Sequence, residues 1–139
     1  MYAECGGLML LARAVRWRHE THTMAGALPI EVEVLAAPQG HGYAELAVDR
    51  PNPFFPEGTT LQGHEFHYSR IVPESQPLAT ACVVKRGSGA WPGRDGIVAG
   101  GIWASYTHLH ALATPEWASG VVKAARRFAE RRQLGSNVI

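Results

Sequence analysis

The sequence has only two cysteines in 139 residues, Cys5 and Cys82, and they stand far apart in dissimilar surroundings. That excludes a disulfide framework and makes a reducing cytoplasm the expected compartment. No apolar run approaches the roughly 20 residues needed to span a bilayer, so no membrane association is expected. The apolar stretch Leu8 to Ala12 has Glu4 ahead of it, no basic segment before it, and Arg13, Arg16 and Arg18 after it, which is not the layout of a secretory signal. Net charge is almost absent, with 13 Lys and Arg against 12 Asp and Glu, a formal +1. Basic residues gather only near the end, at Lys123, Arg126, Arg127, Arg131 and Arg132, as on the solvated face of a helix. A nucleic-acid partner would need a basic face with aromatic or groove-reading residues, so none is expected. Repeats, low-complexity tracts and a glycine-rich phosphate loop closed by a lysine are missing too.

What is there suits one globular core: 46% of residues are hydrophobic and 18% charged. The spacing of Leu8, Leu11, Ala12 and Val15 predicts a helix from Gly6-Gly7 to about Arg16. His19 to Met24 is polar and reads as a loop. Strict alternation from Ile30 to Ala36 predicts a half-buried strand, and Tyr43 to Val48 a second. Pro51, Pro53 and Pro56 forbid regular structure between Asp49 and Gly58, which predicts a surface excursion. Three further strands are expected at Glu65 to Val72, Ala79 to Lys85 and Ile97 to Tyr106, with a glycine-rich turn from Gly87 to Gly96 joining the last two. Thr114, Pro115 and Glu116 announce a closing helix, lined on one side by Trp117, Val121, Ala125 and Phe128 and stopped at Gly135. Strands between terminal helices argue for an α/β or α+β layer.

Ala3-Glu4-Cys5-Gly6-Gly7 runs straight into the first helical segment. This is the layout of a nucleophile elbow, where the reactive side chain sits on a strained strand-to-helix turn and glycines let the backbone bend. A thiolate at a helix N-terminus is favoured by unpaired N–H groups, and the N–H of Gly6 is placed to serve as an oxyanion donor. The same residues also suit a buried cysteine beside a flexible glycine pair, and spacing alone leaves both readings open. Cys82, between Ala81 and Val83 in an expected strand, reads as an inert core thiol.

The histidines form two clusters. In Gly63-His64-Glu65-Phe66-His67-Tyr68-Ser69, alternation puts His64, Phe66 and Tyr68 on one face and Glu65, His67 and Ser69 on the other. One polar face must then point inward or line a cleft. In the second cluster, Ala104 to His110, the residues Tyr106, His108 and His110 share a face if the strand continues. One reading makes a histidine the general base for Cys5. The other makes the histidines metal ligands, since His108-x-His110 is similar to the paired ligands of small β-barrel metalloproteins, although no carboxylate follows at the right spacing. His19, His22 and His41 read as solvent-facing loop residues.

Taken together these motifs resemble the cobyrinic acid a,c-diamide synthases, whose C-terminal domain is a class I, triad-type glutamine amidotransferase. The resemblance covers nearly the whole chain: Tyr2 to Gly7, Met24 to Pro29, Gly42-Tyr43, Gly58 to Ser69, Asp95-Gly96 and Ala104 to His110, in that order. It implies an α/β fold, a partial flavodoxin-like amidotransferase domain with a mixed sheet and flanking helices. It implies Cys5 as the catalytic nucleophile, His108 as the base with His110 as the fallback, and His67, Tyr68 and Ser69 as backbone that helps hold glutamine. The Glu usually found two residues after the histidine is here His110, so the triad is reduced to a dyad and the orienter of the imidazole is unidentified. The resemblance further implies ATP and Mg²⁺ for the parent enzyme, a corrinoid substrate (cobyrinate or hydrogenobyrinate), and no cofactor or metal in residues 1–139. The expected partners are glutamine and a synthetase domain, absent here or carried by a separate subunit, with a homo-oligomer as a further prospect. The alternative is a truncated remnant of the same fold, serving as an oligomerisation module without catalysis.

Overall fold

A computed structural model describes residues 1–73 and 78–136, the side chains of 134–136 excepted. The first strand, β1 (Tyr2–Glu4), leads through Cys5 into the short helix α1 (Gly6–Leu11). There follow β2 (Ala14–Trp17), β3 (Glu20–Thr23), β4 (Glu31–Val34), β5 (Gly40–Val48), β6 (Thr60–His67) and β7 (Ser69–Ile71). The rest is β8 (Ala79–Arg86), β9 (Arg94–Ala99), β10 (Ile102–Ser105), β11 (His108–Leu109) and the closing helix α2 (Glu116–Ser136). No helix among the described residues is long and apolar enough to cross a membrane.

The strands make a seven-stranded sheet, β1-β10-β9-β8-β5-β6-β11, and a four-stranded sheet, β3-β2-β4-β7. Both are mixed: β1 pairs β10 in parallel and β2 pairs β4 in parallel, and the other pairs are antiparallel. Helices flank the sheets, so the α/β class holds. One consequence of the order positions the site. β10 and β11 lie near opposite ends of the larger sheet, yet only Tyr106 and Thr107 separate them in the chain. Three virtual bonds span at most about 11 Å, so the sheet must curl until its two edges meet. A side chain completes the closure, Glu4 Oε1 of β1 accepting from the N–H of Leu109 in β11 at 3.1 Å.

Two apolar clusters hold the layers. Leu8 and Leu11 of α1 pack with Ile30, Val32, Ile71, Ile97 and Tyr106. Leu46, Leu61, Cys82 and Trp103 pack with Phe54, Phe55 and, from α2, Trp117, Val121 and Ala124.

Several sequence expectations are corrected. The first helix stops at Leu11, because Ala12 is extended (ψ 166°) and Ala14 to Trp17 pair with strands on both sides. Val15 is therefore buried from a strand. The expected loop at His19 to Met24 contains β3, a fully exposed edge strand with no apolar alternation to betray it. The strand expected from Glu65 to Val72 breaks at Tyr68 and changes sheets, and that from Ile97 to Tyr106 is a hairpin turned at Gly100-Gly101, with Gly100 at φ 56°. The proline-rich excursion is irregular, but Phe54 and Phe55 within it are buried, held by Asn52 Oδ1 accepting both their N–H groups. Helix α2 presents Gly120 and Ala124 to the body, leaves Ala125 and Phe128 exposed, and runs through Gly135 to Ser136.

Candidate active site

Cys5 sits at φ 46°, ψ −102°, between β1 and α1. A β-carbon makes that region costly, on the order of 1–3 kcal/mol, and the surrounding pairing enforces it. Before the turn, Tyr2, Ala3 and Glu4 are in register with Trp103, Ala104 and Ser105, and the Cys5 N–H donates to Ser105 O at 2.8 Å. After it, Met9 N–H closes the first helical turn on Cys5 O at 3.1 Å. Gly7 lets α1 lie against β1, since a β-carbon there would stand 3.2 Å from that of Ala3, whereas Gly6 faces open space. The elbow is thus present, half-buried and approachable.

Its electrostatics differ from the expected activated thiolate. Burial pushes the Cys5 thiol above its ordinary value, the Gly6 N–H pulls it back, and the Glu4 carboxylate adds to the rise. Cys82, fully buried, is pushed up to about 12 by burial first and by Asp95 and Asp49 next.

The expected alternation in the first histidine cluster holds: Glu65, His67 and Ser69 are buried, and His64, Phe66 and Tyr68 exposed. His67 lies flat against Tyr106, ring centroids 4.0 Å apart and planes 11° from parallel. Its Nδ1 is 2.8 Å from Ser69 O, and a carbonyl only accepts, so Nδ1 carries the proton. Burial, above all, holds His67 below the ordinary histidine range and keeps it neutral. Tyr106 donates to Ser69 Oγ at 3.0 Å, and Ser69 Oγ points to Met9 Sδ at 3.4 Å. The carbonyls of His67, Tyr68 and Ser69 accept from Gln39 N–H, Leu35 N–H and His67 Nδ1 respectively, so all three are engaged within the protein.

The second cluster does not stay in one strand. Regular pairing ends at Ser105, Tyr106 turns inward, and β11 crosses to β6 with His108 opposite His64 and Leu109 opposite Gly63. Those two imidazoles stack at 4.9 Å, 14° from parallel. His108 is flanked by anchored residues, since Ser105 Oγ donates to Thr107 O and the Leu109 N–H donates to Glu4. No hydrogen bond joins His108 to the Cys5 thiol among the described residues. His110 is exposed and begins the turn into α2, its carbonyl accepting from Ala113 and Thr114. His22 lies in β3 and His41 in β5, both exposed. Among the described residues no three His, Cys, Asp or Glu side chains gather as a metal site: His64 and His108 stack as a pair, while His67 faces inward and His110 turns away.

Two buried acids carry much of the local architecture, and the sequence showed their polarity without their role. Asp95 accepts from the N–H groups of Gly96, Tyr106 and Thr107 at 2.8, 3.2 and 3.2 Å and from the Thr107 hydroxyl at 2.9 Å. Complete burial still raises its carboxyl to about 6. Glu65, 2% exposed, accepts from Ser88 and Gly89 N–H at 2.8 Å each and lies 3.2 Å from the same hydroxyl. Together they fix the two residues that precede His108.

Residues 1–116 match the CobB/CobQ-like glutamine amidotransferase domain. The chain belongs to that family. Among curated proteins it is 42% identical over 118 residues to the cobyrinate a,c-diamide synthase of Magnetococcus marinus, covering 85% of this chain and 25% of that protein. It is 39% identical over 129 residues to the synthase of Syntrophotalea carbinolica (91% and 28%), and 34% identical over 135 residues to that of Salmonella typhimurium (91% and 28%). The amidotransferase chain thus spans about a quarter of the length of the relatives it matches. Its elbow, its Gly63 to Ser69 segment and its Tyr106 to His110 segment all lie inside the matched region.

Proposed function

We propose that this domain is the glutaminase portion of an ATP-dependent a,c-diamide synthase that amidates a corrinoid, cobyrinate or hydrogenobyrinate, in cobalamin biosynthesis in the cytoplasm. The observation that carries the proposal is the Cys5 elbow, a non-glycine residue at positive φ between a strand and a helix, followed directly by Gly6 and Gly7. In the reaction, His108 takes the thiol proton and Cys5 Sγ attacks the side-chain amide carbon of glutamine. The Gly6 N–H stabilises the developing oxyanion, and His108 returns the proton to the departing nitrogen, releasing ammonia and leaving a glutamyl thioester. Water then attacks the thioester carbon, and glutamate and the free thiol result. His67, Tyr68 and Ser69 border the glutamine pocket; their carbonyls being engaged, what they offer is the exposed Tyr68 ring. His110 is the fallback base.

ATP and Mg²⁺ do not fit residues 1–139, which hold no phosphate loop and, as far as described, no carboxylate cluster. Both belong to a synthetase domain on the same polypeptide or on a separate subunit. The raised thiol and its lack of an imidazole hydrogen bond favour a second reading, a non-catalytic module of the same fold that associates through an exposed sheet edge such as β3. Glutamate release by the 139 residues, alone and with the synthetase portion supplied, separates the two. The proposal expects slow release alone and faster release on addition; no release in either case supports the module.

A further inference from the structure

An imidazole base needs its ring held, and no hydrogen bond holds this one. Nδ1 of His108 is buried and has no hydrogen-bond partner among the described residues, and the position two residues on, His110, turns away into the next loop. The group that does touch the ring is His64, stacked on it at 4.9 Å with planes 14° apart. We propose that His64 is the positioning residue for His108, orienting it by a flat stacked ring in place of a hydrogen-bonded carboxylate. This rests on the reading of Cys5 and His108 as nucleophile and base.

The contact is built into the fold. His64 and His108 are directly opposed in the β6–β11 pair, and opposed residues of an antiparallel pair project to the same side, within reach of one another. The neighbouring pair is Gly63 and Leu109, and a β-carbon on Gly63 would run into the carbonyl of His108. Only glycine at 63 lets β11 settle close enough for the rings to stack. Backbone anchors on both sides, Asp95 to the Thr107 N–H and Glu4 to the Leu109 N–H, already fix the main chain of His108. What they leave free is rotation about the two side-chain bonds, and a stacked ring removes that freedom. A stack also occupies neither ring nitrogen, so it does not block proton transfer at Nε2 while Nδ1 stays buried.

The test uses the whole chain, the diazoketone analogue of glutamine as probe, and intact-mass detection of Cys5 labelling in wild type, His108→Ala, His64→Ala and His64→Phe. His108→Ala should label far more slowly than wild type. His64→Ala should lower the maximal labelling rate by about tenfold with little change in the analogue concentration for half-maximal rate, and His64→Phe should restore most of the rate, because a ring is enough. Wild-type labelling by His64→Ala, with His108→Ala slow, overturns this inference and spares the base assignment; wild-type labelling by His108→Ala overturns both. A second measurement needs no reactivity. The His108 ring C–H resonance should carry an upfield ring-current shift that His64→Ala removes and His64→Phe keeps, and an unchanged resonance in His64→Ala refutes the stack.

Discussion

The Thr107 hydroxyl stands 2.9 Å from Asp95 Oδ2, and the same oxygen lies 3.2 Å from Glu65, so one hydroxyl proton faces two buried carboxylates. It can donate to only one of them at a time, and the shorter contact is with Asp95, on which three backbone N–H groups also converge. Asp95→Ala should therefore destabilise the domain by about 3 kcal/mol or more, because the N–H groups of Gly96, Tyr106 and Thr107 lose their acceptor in a dry site. Asp95→Asn keeps an acceptor oxygen and should cost less. Denaturant unfolding of the two variants checks the order.

The pH dependence follows from the same carboxyl. Asp95 rises from an ordinary 3.8 to about 6 in the fold, so between those values the native state holds a proton that the unfolded chain has lost. Stability from this group is complete below 3.8 and is lost as pH rises through about 6. The change is on the order of 2–3 kcal/mol. The surface acids Glu31 and Asp49, lowered by their arginine partners, act with the opposite slope. The informative quantity is thus the stability of wild type minus that of Asp95→Asn, which should fall across this window. A flat difference would show that Asp95 does not titrate there.

The two thiols should react very differently. Cys5 is half-buried at an open elbow, and Cys82 is fully buried with its thiol pushed up to about 12. Iodoacetamide on the folded chain should modify Cys5 alone, with a rate still climbing above the ordinary thiol range because burial raises Cys5 as well. Peptide mass mapping before and after unfolding reads both, and Cys82 should appear only afterwards.

Gly96 is a steric requirement. Its φ is 66°, and a β-carbon would lie 2.5 Å from the ring of the buried Trp103. Gly96→Ala should cost about 2–4 kcal/mol through strain and displacement of that ring. Thermal unfolding with near-ultraviolet circular dichroism should report both effects.

Much of this was legible in the residues, and the failures have physical causes. Alternation correctly separated Glu65, His67 and Ser69 from His64, Phe66 and Tyr68, because burial of one face leaves a period of two in the sequence, though it did not say which face is buried. The elbow was legible because positive φ next to glycine and an apolar run leaves a local mark. Val15 misled because Leu11, Ala12 and Val15 satisfy a helical spacing, while the long-range pairing of β2 between β3 and β4 overrides it. Edge strand β3 left no mark at all, having no buried face. The break at Tyr68 and the crossing of β11 onto β6 depend on sheet closure, which no window of neighbours encodes. For the same reason the His64–His108 stack was invisible, the two residues being 44 positions apart and meeting only through register.

The central claim is that Cys5 carries the glutamyl group. Incubation with glutamine, acid quenching and peptide mass analysis of the synthase containing this domain tests it most directly. The account predicts a glutamyl adduct on the peptide bearing Cys5, none on that bearing Cys82, and loss of both adduct and glutamate release in Cys5→Ala. Glutamate release that persists in Cys5→Ala would contradict it.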